Sequence, residues 1–120
     1  MQEMKISELC KQTGLSKDGI RHYEQLGLIH SQRKPAGTRY YQDYDENSIV
    51  RIEIIQCGKS CGFTLKEIKN IFDCTDNDEL SLAELRPFLL QKLAELDLKV
   101  AEIEKMRGII KQNLAGVDCQ

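Results

Sequence analysis

Apolar residues recur at helical spacing from the start of the chain. In Lys5-Ile-Ser-Glu-Leu-Cys, the side chains of Ile6, Leu9 and Cys10 share one face, and Ser7 is placed to cap the short helix they predict. Thr13 and Gly14 stop it. Ser16 then caps a second helix running to about Leu26, with Ile20, Tyr23 and Leu26 facing inward and Gly27 ending it. Two short helices joined by a turn containing glycine form the helix-turn-helix pattern. From Leu28 to Tyr41 the spacing changes. Ile29, Tyr40 and Tyr41 flank a polar run, and Pro35 and Gly37 mark a turn. That stretch predicts a two-stranded hairpin carrying Arg33, Lys34 and Arg39.

Helical spacing returns at Asp45. Asp45-Glu46-Asn47 supplies a cap and first-turn acids for a helix whose apolar positions are Ile49, Ile52 and Ile55, bracketed at its end by Gly58 and Gly62. Thr64 and Glu67 form a capping box opening a further helix, with Leu65, Ile68, Ile71 and Phe72 apolar. Cys74-Thr-Asp-Asn-Asp-Glu reads as an acidic linker, and Ser81 with Glu84 as a second capping box. The chain is then helical to about Asn113. Leu89, Leu93, Leu96, Val100, Ile103, Arg107, Ile110 and Leu114 are spaced alternately by four and three, a heptad seam apolar at every position but Arg107. Pro87 either kinks this helix or marks its restart. One apolar stripe on so long a helix is satisfied most simply by a second copy of the chain, the alternative being a fold back onto the head. The expected architecture is mainly α: a winged helix-turn-helix head with a small β hairpin over residues 1–74, then a linker and a coiled-coil dimerisation helix over 75–120.

Composition narrows the class. With 41% apolar and 30% charged residues in 120, the chain is globular, and no apolar run suffices for a bilayer span. No signal core follows Met1, so the expected location is cytoplasmic, with no membrane partner. The net charge of −2 conceals an asymmetry. Residues 1–42 hold seven Lys or Arg against four acids, together with His22 and His30, so this third alone can meet a polyanion. Five cysteines (Cys10, Cys57, Cys61, Cys74 and Cys119), odd in number and irregular in spacing, fit a reduced compartment better than a disulfide scaffold.

The chemistry-bearing residues do not assemble into an enzyme. Neither histidine has a nucleophile or carboxylate at a defensible spacing, and there is no glycine-rich phosphate loop and no metal-ligand pair, so no cofactor and no metal are expected. Lys17 and Arg21 lie four apart and project from one side of the second helix, as a recognition helix entering the major groove requires. By themselves they fit a solvated basic face better; the basic hairpin that follows adds a second DNA-facing element and shifts the reading toward DNA.

Three blocks carry a family resemblance. Ile20-Arg-His-Tyr-Glu-Gln-Leu-Gly-Leu-Ile29, Gly37-Thr-Arg-Tyr-Tyr41 and Gly62-Phe-Thr-Leu-Lys-Glu-Ile68, in that order and followed by the long helix, resemble the MerR family of bacterial transcription regulators over essentially the whole chain. The resemblance implies a homodimer with winged helix-turn-helix heads and an antiparallel coiled coil. It implies binding to near-palindromic operators in promoters with an overlong spacer, which the protein bends and untwists for RNA polymerase, its indirect partner. By the same resemblance Ser16, Lys17, Arg21 and His22 lie on the recognition helix and Tyr23 touches the DNA backbone. Arg39 and Tyr41 belong to the wing, and Lys59 grips phosphate.

The effector is approached through the cysteines. Ile52-Glu-Ile-Ile-Gln-Cys57 resembles the block of the branch that responds to aldehydes, nitrosothiols and other electrophiles, which makes Cys57 the expected sensor thiol, with Lys59 as the nearby cation that would favour its thiolate. The bland alternative is a small buried hydrophobe. Cys61 lies one turn on, poorly placed for a disulfide within a helix, and Cys10 is expected in the core. The metal-sensing branches place paired cysteines after the long helix, whereas this chain has Cys119 alone there. A metal-responsive regulator pairing Cys74 or Cys119 across a dimer, and a purely architectural winged-helix DNA binder, are the alternatives.

Overall fold

The computed structural model of the protein describes residues 4–75 and 82–118. Two units follow one another along the chain, Met1–Leu80 and Ser81–Gln120.

The first unit opens with α1 (Ile6–Thr13), which buries Leu9. Its N-cap is Lys5 in extended conformation, not Ser7, which lies inside the first turn. The neighbouring backbone explains the shift. Met4 is fastened to the hairpin, donating to the Asp43 carboxylate at 2.9 Å and accepting from Tyr44 N–H at 2.8 Å, so the chain is held straight up to Lys5. α2 (Lys17–Gln25) starts where expected, the Ser16 hydroxyl accepting the Gly19 N–H at 3.1 Å, and turns Ile20 and Tyr23 inward. It stops at Gln25, so Leu26 leaves the inward face and is 40% exposed, contrary to its expected burial.

The hairpin pairs β1 (Ser31–Ala36) with β2 (Arg39–Tyr44) in antiparallel register from Ser31↔Tyr44 to Ala36↔Arg39. Gly37 and Thr38 form its two-residue turn, and Gly37 takes φ 68°, the conformation that the first central position of a II′ turn requires. Pro35, expected at the turn, stands in β1 opposite Tyr40. A two-stranded sheet is all edge, so the missing N–H is tolerated there.

α3 (Ser48–Ser60) and α4 (Leu65–Cys74) complete the head. The Thr64 capping box forms as expected: Thr64 Oγ1 accepts Glu67 N–H at 3.1 Å, and Glu67 Oε1 accepts Thr64 N–H at 2.9 Å. Gly58 lies within α3 where a Cβ would stand 3.1 Å from Ile68 Cδ1, so its lack of a side chain lets α4 approach. Leu9, Ile20, Tyr23, Leu28, Ile29, Tyr44, Ile52, Ile55, Ile68 and Phe72 make one core. Full burial of each aliphatic member contributes about 1.5–3 kcal/mol. Arg51 joins this interior: its Nη1 donates to the Leu28 carbonyl at 3.1 Å and its guanidinium lies 4.7 Å from the Phe72 ring.

The second unit is α5 (Leu82–Asp118), 37 residues and about 55 Å long. It runs past the expected end at Asn113, and it continues through Pro87 without a restart. The seam residues Leu89, Leu93, Leu96, Val100, Ile103, Ile110 and Leu114 are 37–58% exposed, an apolar stripe along a single helix. The Ser81 capping box, most of the acidic linker and Cys119 lie outside the described residues. The architecture is mainly α, a winged helix-turn-helix head with a small hairpin and a long C-terminal helix.

Candidate nucleic-acid interface

An open groove of about 890 Å³ lies between the helix-turn-helix and the hairpin. Lys5 and Ser7 line it from the start of α1, Lys17, Arg21 and Gln25 from α2, and Arg33, Tyr40, Tyr41 and Gln42 from the hairpin. Its cations are braced from within. The Lys5 ammonium lies 4.8 Å from the centre of the Tyr41 ring and the Arg33 guanidinium 4.2 Å from that of Tyr40, both within cation–π range. Arg21 approaches Asp18 at only 3.8 Å, with both side chains exposed, a pairing weak enough to yield to a phosphate.

The acid in the lining, Glu24, is turned to a structural task. Its carboxylate accepts the Tyr44 hydroxyl at 2.8 Å and the Ser31 hydroxyl, which ties α2 to both strands of the hairpin. Burial above all, and then the bond to Glu24, push the Tyr44 phenol well above its ordinary 10.0, so it stays a proton donor at neutral pH. A second tie runs from Met4 N–H to the Asp43 carboxylate at 2.9 Å, and Lys34 across the hairpin holds that carboxylate at 2.6 Å. The hydrogen bond from Lys34, followed by that from Met4 N–H, holds the Asp43 carboxyl below its usual 3.8. The wing is thus fixed at two places, against α2 and against the segment leading into α1.

Of the residues expected to meet DNA, the structure brings Lys17, Arg21 and Tyr41 together in the groove. Ser16 is exposed at the N-terminus of α2 with its hydroxyl engaged as a cap. His22 is exposed on α2 outside the groove lining, Arg39 is exposed beside the hairpin turn, and Lys59 is exposed near the end of α3. Tyr23 is 6% exposed, packs in the core and is outside the groove lining. Lys5, Glu24 and Tyr44 of the lining were not singled out by sequence, and Arg33 and Tyr40 were named only as parts of the basic hairpin. The period of two in β2, which sets Tyr40, Gln42 and Tyr44 on one face, is the signal that points to the tyrosines.

Cys57 is exposed and Cys10 is half-buried against the core. Lys59 does not stand beside Cys57 as expected: two residues along an α-helix is a rotation of about 200°, which sends the lysine to the other side of α3. Among the described residues there is no group of three or more His, Cys, Asp or Glu suited to a metal ion, and no helix long and apolar enough to cross a membrane.

A concave cationic surface formed by a helix N-terminal half and a hairpin suits the phosphate backbone and major groove of duplex DNA. Comparison with known proteins agrees. Residues 4–74 match the MerR HTH family regulatory protein family and residues 49–112 the MerR, DNA binding family. The "Probable heavy metal-dependent transcriptional regulator" of Haemophilus influenzae is 34% identical over 105 residues, covering 86% of this chain and 79% of that protein. The crystal structure of the transcription regulator PbrR691 from Ralstonia metallidurans CH34, in complex with lead(II), superposes with a TM-score of 0.68 at 25% identity, over 91% of this chain and 83% of that one. HiNmlR, a MerR family regulator lacking the sensor domain and bound to promoter DNA, superposes with a TM-score of 0.60 over 95% and 89%; at 20% identity it speaks for the fold alone. MerR regulators act as dimers. The chain therefore belongs to the MerR family and is a DNA-binding transcriptional regulator.

Proposed function

We propose that two copies of this chain, joined along the α5 seam, grip a near-palindromic promoter operator and distort an overlong spacer so that RNA polymerase can use it. Residues 1–74 serve as the DNA-binding head and residues 75–120 as linker and dimerisation helix. In each head α2 enters the major groove, with Lys17 and Arg21 facing base edges or phosphates and Ser16 and His22 beside them. Arg39 and Tyr41 of the wing and Lys59 of α3 hold the backbone, and signal input enters through the exposed Cys57. The protein works in the cytoplasm without catalysis of its own and without a resident cofactor.

The observation that carries this proposal is the groove, where Lys5, Lys17, Arg21 and Arg33 converge from three elements around one concave surface. The exposed seam of α5 favours a dimeric regulator over an architectural binder, which needs no device to space two heads. In vitro transcription from the operator-bearing promoter tests it. Shortening the spacer by two base pairs should make transcription independent of the protein, because no deformation is then required. A shortened promoter that still needs the regulator would refute the distortion mechanism.

A further inference from the structure

The seam of α5 is broken by one charge. Arg107 occupies the same row as Leu93, Val100 and Leu114, and its side chain is 57% exposed. Its Nε lies 3.8 Å from the Glu104 carboxylate one turn back, a weak pairing for two exposed groups. Glu104 belongs to one flank of the seam together with Asp97, each directly following a seam residue, and Asp97 is exposed.

We propose that Arg107 sets the orientation and register in which two copies of the chain join, each Arg107 seated between its own Glu104 and Asp97 of the partner subunit. The inference rests on the dimer proposed above and names the residues that choose its geometry. In a parallel, in-register pair every seam residue faces its own copy. The two Arg107 side chains would then oppose each other inside an otherwise apolar seam, where little water screens their repulsion. Only one antiparallel register matches each of the eight seam positions with another of the eight. It sets Leu89 against Leu114, Leu93 against Ile110, Leu96 against Arg107 and Val100 against Ile103. The two arginines then stand about 16 Å apart along the axis, beyond the screening length of about 8 Å. The same register brings Asp97 of the partner subunit to the level of Met106, on the flank that carries Glu104. Two acids would meet there, and Arg107, in the row next to that flank, supplies the cation between them. A parallel pair has flanking charges in its favour, since Lys92 would face Asp97 and Lys99 would face Glu104 across the seam. Such exposed pairs contribute little, and Lys92 is already bonded to Glu95 at 3.0 Å. The arginine clash lies in the seam itself and outweighs them. One polar residue thus lowers the stability of the seam and in return specifies a single pairing.

The test uses the full chain carrying Cys57→Ser, Cys61→Ser, Cys74→Ser and Cys119→Ser, with circular dichroism confirming the fold and sedimentation equilibrium giving the dimer dissociation constant. Adding Asp97→Arg should weaken the dimer about tenfold or more, because the substitution acts at two equivalent places. Combining it with Arg107→Glu should restore the dimer, since each place again holds a cation between two acids. Arg107→Leu should tighten association yet release the orientation. Pyrene attached at Asp118→Cys reports this: the two labels lie about 50 Å apart in the antiparallel register and side by side in a parallel one. Excimer emission should be absent with arginine at 107 and present with leucine. Asp97→Arg without effect, a double variant no tighter than Asp97→Arg alone, or the same emission with arginine and leucine would each overturn the proposal. A stable dimer indifferent to these changes removes this site alone, whereas a starting chain that sediments as a monomer removes the proposed dimer as well.

Discussion

The Glu24–Tyr44 bond joins the recognition helix to the last residue of the wing, and Tyr44→Phe removes it alone. The ring is 3% exposed and keeps its packing in phenylalanine, so no cavity opens. What disappears is a 2.8 Å hydrogen bond from a phenol to a carboxylate. Bonds to charged partners contribute about 1.5–3 kcal/mol. Glu24 keeps the Ser31 hydroxyl, so the carboxylate is not stranded and the lower value, about 1.5 kcal/mol, applies. With a urea dependence of about 1–3 kcal/mol per molar for a unit of this size, the midpoint should fall by roughly 0.5–1.5 M at unchanged slope. Protomer concentration must be held constant, since association contributes to apparent stability. Operator affinity should fall too, while its dependence on salt keeps the same slope, because no phosphate contact is removed. A loss below about 0.5 kcal/mol, or no coupling with Glu24→Gln in a double-mutant cycle, would refute the claim that this bond fixes the wing.

The other expected outcomes concern separate parts of the molecule. Arg21→Ala and Arg39→Ala should each abolish band shifts at fixed salt while the dimer persists in size-exclusion chromatography; unchanged affinity would remove either residue from the interface. Where binding survives at low salt, each lost phosphate contact should reduce the logarithmic salt slope by about 0.9. Asp43 has a folded pKa below its ordinary 3.8, so its contribution to stability is present above that value and is lost as pH falls through the lower, folded one. An acid titration should therefore show a smaller loss below pH 3.8 in Asp43→Asn than in the wild type. Ile103→Glu, in the middle of the exposed seam, should yield monomers by sedimentation with operator binding lost, and an intact dimer would displace the seam from this role.

Local signals explain which parts were legible in sequence. α2 and α4 begin where Ser16 and Thr64 say they do, because each cap is satisfied within three residues of itself. The hairpin was visible through Gly37, whose conformation depends on the turn alone. Ser7 misled because the start of α1 is set by a partner 39 residues away in sequence, the Met4–Asp43 bond, and no local pattern records it. Glu24 looked like one surface acid among several; only the docked hairpin gives it Tyr44 and Ser31. Arg51 likewise reads as a helix-surface cation until Leu28 and Phe72 close around it. Lys17 and Arg21 were legible because four residues on a helix fix their common side without tertiary information. Lys59 does not stand next to Cys57 by the same rule, since closeness along the chain is not closeness on the helix.

On the proposal that Cys57 receives the signal, α3 is the element that joins it to the DNA-binding helices. Its inner face supplies Ile52 and Ile55 to the core, and Gly58, having no side chain, leaves room for Ile68 of α4. Two further bonds hold it to the DNA-binding elements: Arg51 to the Leu28 carbonyl, just after α2, and the Gln56 amide to the Thr13 carbonyl, at the end of α1, at 3.4 Å. A close-packed interior passes on a displacement rather than absorbing it. A displacement of α3 therefore falls on α4 and on the attachments at Thr13 and Leu28. Those attachments lie on either side of α2, so a displacement of α3 reaches the recognition helix at both of its ends.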